Sequence, residues 1–286
     1  MKEIILNDGN KLPIIGFGTY KSKDQNGIQA IKHALSSGYR LLDTAAKYDN
    51  EQEVGIAMRE SGIVRAEIIL TSKVWRDNLG YNETKKAFQL SLHKLGMDYI
   101  DLYLIHWPAN ARNYSNWQKT NSESWRAMEE LQSEGKIKSI GVSNFWQEHL
   151  ESLFQTANVI PAINQIEFHP GYWQSELSEF CKTNGIVVEA WSPLARGRIF
   201  NNPILQEIAT IHNKSISQVC LRWVAQHNTI VIPKSNNLHR IEENFNIFDF
   251  NLSNEEMKKI DNLPEMGFSG ELPNLWPEVL DVKNIM

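Results

Sequence analysis

The chain has 286 residues, 42% of them hydrophobic, which is enough to bury roughly three quarters of the unfolded surface in a large core. Lys and Arg number 29 against 34 Asp and Glu, a net charge of -5 with no basic tract, so a phosphate backbone is an unlikely partner and no nucleic acid is expected. The two cysteines, Cys181 and Cys220, match no metal-ligand spacing, and core packing in a reducing, cytoplasmic setting is the expectation. No segment approaches the ~20 apolar residues of a membrane span, and the start of the chain lacks the apolar run of a signal peptide.

In chain order, Asn7-Asp8-Gly9-Asn10 lies between two short apolar runs and predicts a β-hairpin that caps something. Eight strand-like runs follow: PIIGFGTY, YRLLDTA, IILTSKV, YIDLYLIHW, KSIGVSN, AINQIEF, VVEAWSP and TIVIPKS. Helical patterns separate them. Phe88, Leu92 and Leu95 recur at helical spacing between Asn82, a candidate N-cap, and Gly96, a stop. Trp125, Met128 and Leu131 repeat the pattern before Gly135, as do Leu177, Phe180 and Cys181 before Gly185. Strands alternating with helices imply parallel strands buried on both faces, and the count predicts a (β/α)₈ TIM barrel. A doubly wound open sheet is the runner-up; GFGTY lacks the third glycine and the helix start of its phosphate loop. No linker interrupts the series, so residues 1–286 read as one domain.

Each run ends in a residue that is costly to bury unpaired: Asp43, Lys73, His106, Ser143 with Asn144, Gln165, Ser192 after Trp191, and Lys234 with Ser235. A barrel gathers such ends around one mouth. A single Asp or His at a strand end is ordinarily a satisfied polar group, but seven of eight ends agreeing favours a site. No paired His-x-His suits a metal hydrolase, and no Walker-type loop suits phosphoryl transfer. Asp43, Tyr48, Lys73 and His106 fit another chemistry. Lys73, kept charged by Asp43, is expected to lower the pKa of Tyr48 and make it a proton donor, while a neutral His106 orients a carbonyl oxygen.

The stretches DTAAKYDNE, TSKVW, LIHWP, GVSN, NQIEFHP, WSPLARG and IPKSNNLHRIEENFNIFDF resemble the aldo-keto reductases, in the same order from the hairpin to about Leu263. The prokaryotic branch containing 2,5-diketo-D-gluconate reductases and glyoxal or methylglyoxal reductases is the nearest resemblance. It implies a barrel with an N-terminal hairpin and a C-terminal substrate loop, NADPH as hydride donor and no metal. Tyr48 would be the general acid, Asp43 and Lys73 would tune it, and His106 would orient the substrate. Ser143, Asn144 and Gln165 would hold the nicotinamide carboxamide, Trp191 would stack on the ring, and Ser192, Leu194 and Gly197 would belong to the pyrophosphate loop. Lys234, Ser235 and Arg240 match the 2′-phosphate pocket, a set that suits an anion where an NAD site would place a carboxylate. Glu243 and Asn244 match adenine contacts. Tyr20, Trp75 and Trp107 match the substrate wall. Trp117, Trp146 and Trp173 receive no role, as lone tryptophans usually pack in cores.

The stretch from Pro108 to Thr120 reads as a loop over the site, in which Arg112 is a solvated charge before it is a ligand for an acidic substrate. Lys47 and Asp49 stand where many relatives carry an apolar residue and a glycine, and their charge is expected to bias the pocket toward polar keto compounds. The tail from Gly267 onward, with Trp276, is where specificity is usually set. The expected function is reduction of small aldehydes, 2-oxoaldehydes or ketones by a monomer; the alternative is an NADPH-binding regulatory subunit with little turnover.

Overall fold

The structure is a computed structural model, and it describes residues 2–275 and 278–280. Strands β1 (Glu3–Ile5) and β2 (Lys11–Pro13) form the expected antiparallel hairpin, with Glu3 opposite Pro13. Its turn closes through Leu6 N–H to Asn10 O at 2.8 Å and through Asn10 N–H to Asp8 Oδ1 at 3.0 Å. Ile4, Leu6 and Leu12 are buried, so the hairpin is a plug. Asn10 Nδ2 donates to Ser139 Oγ (2.9 Å) and Asn7 Nδ2 to Pro161 O (3.0 Å), which fixes the plug over the N-terminal end of the barrel.

The eight predicted runs are the eight barrel strands: β3 (Phe17–Gly18), β4 (Leu41–Asp43), β5 (Ile69–Val74), β6 (Ile100–Ile105), β7 (Ile137–Ser143), β8 (Ile163–Glu167), β9 (Val187–Trp191) and β10 (Ile230–Val231). Neighbours pair in parallel in chain order. The ring closes by a parallel bridge between Ile15 and Val231, with Gly16 N–H to Val231 O at 2.9 Å and Gly18 N–H to Pro233 O at 3.0 Å. Every residue of β6 is buried, as a strand covered on both faces must be.

Helices α1 (Asp24–Ser36), α2 (Glu51–Glu60), α3 (Tyr81–Leu95), α4 (Trp117–Ser133), α5 (Gln147–Phe154) and α6 (Ser175–Thr183) follow β3 to β8 in turn. Two helices, α7 (Pro203–His212) and α8 (Ile216–Gln226), follow β9, while α9 (Leu238–Phe245) and α10 (Asn254–Asp261) follow β10. The predicted helix faces are the packed ones: Phe88, Leu92 and Leu95 of α3 and Trp125, Met128 and Leu131 of α4 are buried. Gly96 ends α3 in the left-handed conformation (φ 64°).

Two local expectations fail. Asn82 is not the cap of α3: the helix starts one residue earlier, and Gly80, at φ 106°, turns the chain into it while its N–H donates to Ser124 Oγ at 2.7 Å. The predicted loop from Pro108 to Thr120 stops short, because Asn116 accepts from Lys119 N–H and caps α4 at Trp117. Cys181 and Cys220 are free thiols in the core, and burial pushes Cys181 up to about 11.

Candidate active site

With the hairpin over one end, the open mouth is at the strand C-termini. Asp43 ends β4 and Lys73 is the second-last residue of β5, next to β4 in the ring. Lys73 is completely buried, so its ammonium must be paired. It donates to Asp43 Oδ1 (2.7 Å) and Oδ2 (2.6 Å), to Thr44 O (3.0 Å) and to Tyr48 Oη (3.4 Å). Tyr48 closes the short 3₁₀ turn Ala46–Tyr48 after β4, which swings its ring back over the mouth. The buried carboxylate therefore holds the ammonium, and the ammonium reaches the phenol.

His106, one residue past β6, packs edge-on to Tyr48 (ring centroids 5.5 Å) and to Trp75 (5.2 Å). Burial, then Lys73, then Lys47 hold its pKa well below the usual histidine value, so the imidazole is neutral. Tyr48 departs from expectation. Burial first and the Asp43 carboxylate second hold the phenol well above its ordinary value, with Tyr20, Glu189 and Glu271 adding to the rise. The Lys73 ammonium reaches Oη at 3.4 Å, but both Asp43 oxygens engage it and burial dominates. The phenol consequently stays protonated.

Behind this group lies Gln165 on β8. Its Nε2 donates to Asp43 Oδ2 (2.9 Å) and to Glu189 Oε2 (2.8 Å), leaving its oxygen as the amide atom not used in these bonds. Glu189, in the middle of β9, is fully buried, and burial and Asp43 push it up to about 8. The sequence reading passed over it. The signal was a lone carboxyl inside the apolar run VVEAW, two residues before Trp191.

Ser143 Oγ donates to Gln165 O (2.8 Å), and Asn144, at φ 61°, donates through Nδ2 to His106 O (3.0 Å) and accepts from Trp191 Nε1 (2.8 Å). Trp191 is thus held by a bond that phenylalanine could not make. The loop after β9 runs through positive φ at Ser192 (53°), Ala195 (47°), Arg196 (57°) and Gly197 (85°). Leu194 packs against the core there.

Lys234, just past β10, is half-buried, and burial and then Lys21 lower its pKa. Among the described residues neither lysine makes an ion pair with a carboxylate, nor does exposed Arg240 of α9, so these three cations are available to an anion. Ser235 Oγ accepts from Asn237 N–H (3.0 Å) in the turn that starts α9. Glu243 is tied to the start of α8, where it accepts from Ser215 Oγ at 2.6 Å, and Asn244 is buried beside it.

Tyr20 stands 50% exposed against Tyr48 (centroids 5.1 Å), and Trp75 flanks His106, but Trp107 is buried and offers little surface. Lys47 lies over the Trp75 ring, its Nζ 4.9 Å from the centroid, whereas Asp49 turns outward to Lys23 at 3.1 Å. Arg112 pairs with Glu278 of the tail, and both side chains are exposed. A small cleft opens beside the strand ends and is lined by Asn144, Trp146, Tyr172, Gln174, Trp191 and Glu271, among others. Trp146, given no role from sequence, is on its wall. The tail is moored by Ser269 Oγ to Glu167 Oε2 (2.7 Å) and by Glu271 to Arg196 (3.1 Å); Trp276 lies outside the described residues.

The "Aldo/keto reductase family" model matches residues 14–265. The chain belongs to this family. The aldo/keto reductase is 49% identical over 259 residues to glyoxal reductase of Bacillus subtilis (strain 168), covering 90% of this chain and 91% of that one. It is 44% identical over 279 residues to a 9,11-endoperoxide prostaglandin H2 reductase of Trypanosoma cruzi (strain CL Brener), with 96% of each covered. Among solved structures, an aldo/keto reductase from Brucella melitensis superimposes with TM-score 0.86 at 46% identity over 91% of this chain and 98% of that one. A Gox0644 variant in complex with NADPH gives TM-score 0.89 at 38% identity over 96% and 98%. The barrel and its hairpin are those of this family, and the chain is an oxidoreductase that reduces carbonyls.

Proposed function

We propose that this aldo/keto reductase reduces small aldehydes, 2-oxoaldehydes or ketones with NADPH, using Tyr48 as general acid. The observation that carries the reading is the buried contact set in which Asp43 grips Lys73 and Lys73 reaches Tyr48, beside a neutral His106. NADPH, when bound, would supply the hydride for the carbonyl carbon. The chain's part is the proton: Tyr48 Oη–H gives it to the carbonyl oxygen as the carbon–oxygen double bond is lost, and the Lys73 ammonium stabilises the phenolate left behind. A neutral imidazole has one N–H, with which His106 orients the same oxygen. The raised pKa of Tyr48 suits this direction, since a donor must be protonated before it acts.

The cofactor fits the residues present. Lys21, Lys234 and Arg240, which make no ion pair with a carboxylate among the described residues, favour a phosphate-bearing dinucleotide. Asn144, Gln165 and Trp191 would hold the nicotinamide end, Gln165 as an acceptor through its oxygen because its nitrogen is committed inward. Tyr20 and Trp75 supply apolar walls. The likeness to glyoxal reductase supports 2-oxoaldehydes as one substrate class.

The test is cofactor consumption by the purified protein, NADPH against NADH, across methylglyoxal, aromatic aldehydes, keto sugars and 2-oxo acids. Turnover with NADPH is expected; tight binding without turnover on any carbonyl would favour a regulatory subunit. Tyr48→Phe should lower kcat by at least ~10²-fold while NADPH affinity holds, and retained turnover would refute the acid role.

A further inference from the structure

Glu189 has no part in the reduction as described, yet it touches the residues that perform it. It is fully buried in β9, level with Gln165 on one side and Ile230 on the other. One oxygen, Oε2, accepts from Gln165 Nε2, whose second hydrogen goes to Asp43. The other, Oε1, has no hydrogen-bond partner among the described residues. A carboxylate there would be a dry anion with a single hydrogen bond, one amide away from a second carboxylate. A carboxylic acid there is far less costly, since its O–H replaces the charge on the unpartnered oxygen.

We propose that Glu189 is a positioning residue for carbonyl reduction, acting in its uncharged form: it holds the Gln165 amide with its nitrogen turned inward, and its ionisation weakens Tyr48 as a proton donor. The proposal rests on the carbonyl-reduction reading above. The charged groups that act on Glu189 are Asp43 on β4 and Lys73 on β5, the β10 side presents Ile230, and Tyr48 on the turn after β4 also feels Asp43, Tyr20 and Glu271. Asp43 opposes ionisation of Glu189, and Lys73 favours it less strongly than burial and Asp43 resist it. A charged Glu189 adds to the negative field that already raises the Tyr48 phenol, making proton delivery harder. Glu189 neither gives nor takes the reaction's proton; it exchanges its own with solvent between turnovers.

Glu189→Gln mimics the uncharged acid, keeping an oxygen for Gln165 to donate to, while Glu189→Leu removes both charge and acceptor. In the full-length protein, kcat for NADPH-driven reduction of methylglyoxal should decline as pH rises through about 8 in the wild type. In Glu189→Gln that alkaline limb should move upward by at least about one pH unit. Glu189→Leu should weaken NADPH binding, read by quenching of tryptophan fluorescence, and Gln at this position should restore it. An alkaline limb that stays in place in Glu189→Gln overturns the proposal, as does equal NADPH binding by the Leu and Gln variants, which would mark simple packing. Absence of wild-type turnover on every carbonyl defeats the carbonyl-reduction reading itself; turnover with an unmoved limb defeats only the role of Glu189. Should the Gln variant fail to fold, infrared titration of the wild type decides: a buried protonated carboxyl band that disappears near pH 8 is expected, and its absence at neutral pH overturns the proposal.

Discussion

Glu189→Gln should stabilise the protein, and by an amount that depends on pH. An unfolded glutamate titrates at 4.5, and burial with Asp43 pushes Glu189 up to about 8 in the fold. Between those values the folded chain binds a proton that the unfolded chain does not, so stability falls as pH rises through that window and is level above it. At about 1.4 kcal/mol per pH unit the whole span is worth up to about 5 kcal/mol, with the opposing effect of Lys73 already contained in that span. Glutamine at this position carries no charge and still accepts from Gln165 Nε2, so its cost does not vary with pH. Urea unfolding of both proteins at a series of pH values measures the difference, in which all other titrating groups largely cancel. The advantage of the variant should grow from about pH 5 and reach a plateau above about pH 8. A difference that stays constant over that range would refute the argument, because it would mean that Glu189 titrates alike in both states.

Lys47→Ala removes the cation over Trp75 and should cut kcat/KM for carboxylate-bearing aldehydes by roughly 3- to 10-fold relative to their neutral esters. A paired kinetic series checks this, and an unchanged ranking would remove Lys47 from the pocket. Gly55→Ala would place a Cβ 2.0 Å from Leu95 O, where α2 crosses α3. The helices must part to admit it, so a loss of about 1–3 kcal/mol is expected in urea unfolding, and wild-type stability would contradict that close contact.

The barrel was legible from sequence because parallel strands covered on both faces must be short apolar runs, and all eight runs are strands. The polar residue ending each run was legible for the same reason: Asp43, Lys73, His106 and Gln165 stand out against apolar neighbours that cannot satisfy them. Where the helices begin was less legible. Asn82 had the right chemistry for a cap, but a backbone turn at Gly80 set the boundary through a hydrogen bond to Ser124, more than forty residues away. Charges were the least legible. The sequence placed Lys47 and Asp49 on either side of Tyr48, and only the 3₁₀ turn decided that Lys47 faces Trp75 while Asp49 turns away to Lys23. It likewise showed Lys73 as a cation that would depress the Tyr48 pKa, whereas the fold commits both Asp43 oxygens to that ammonium and leaves burial to dominate. Residue types and their period thus determined the architecture and the ring of polar ends. Which of those ends touch, and with what net field, depends on distances of a few ångströms between strands far apart in sequence, and electrostatic energy in a dry interior changes over just that scale.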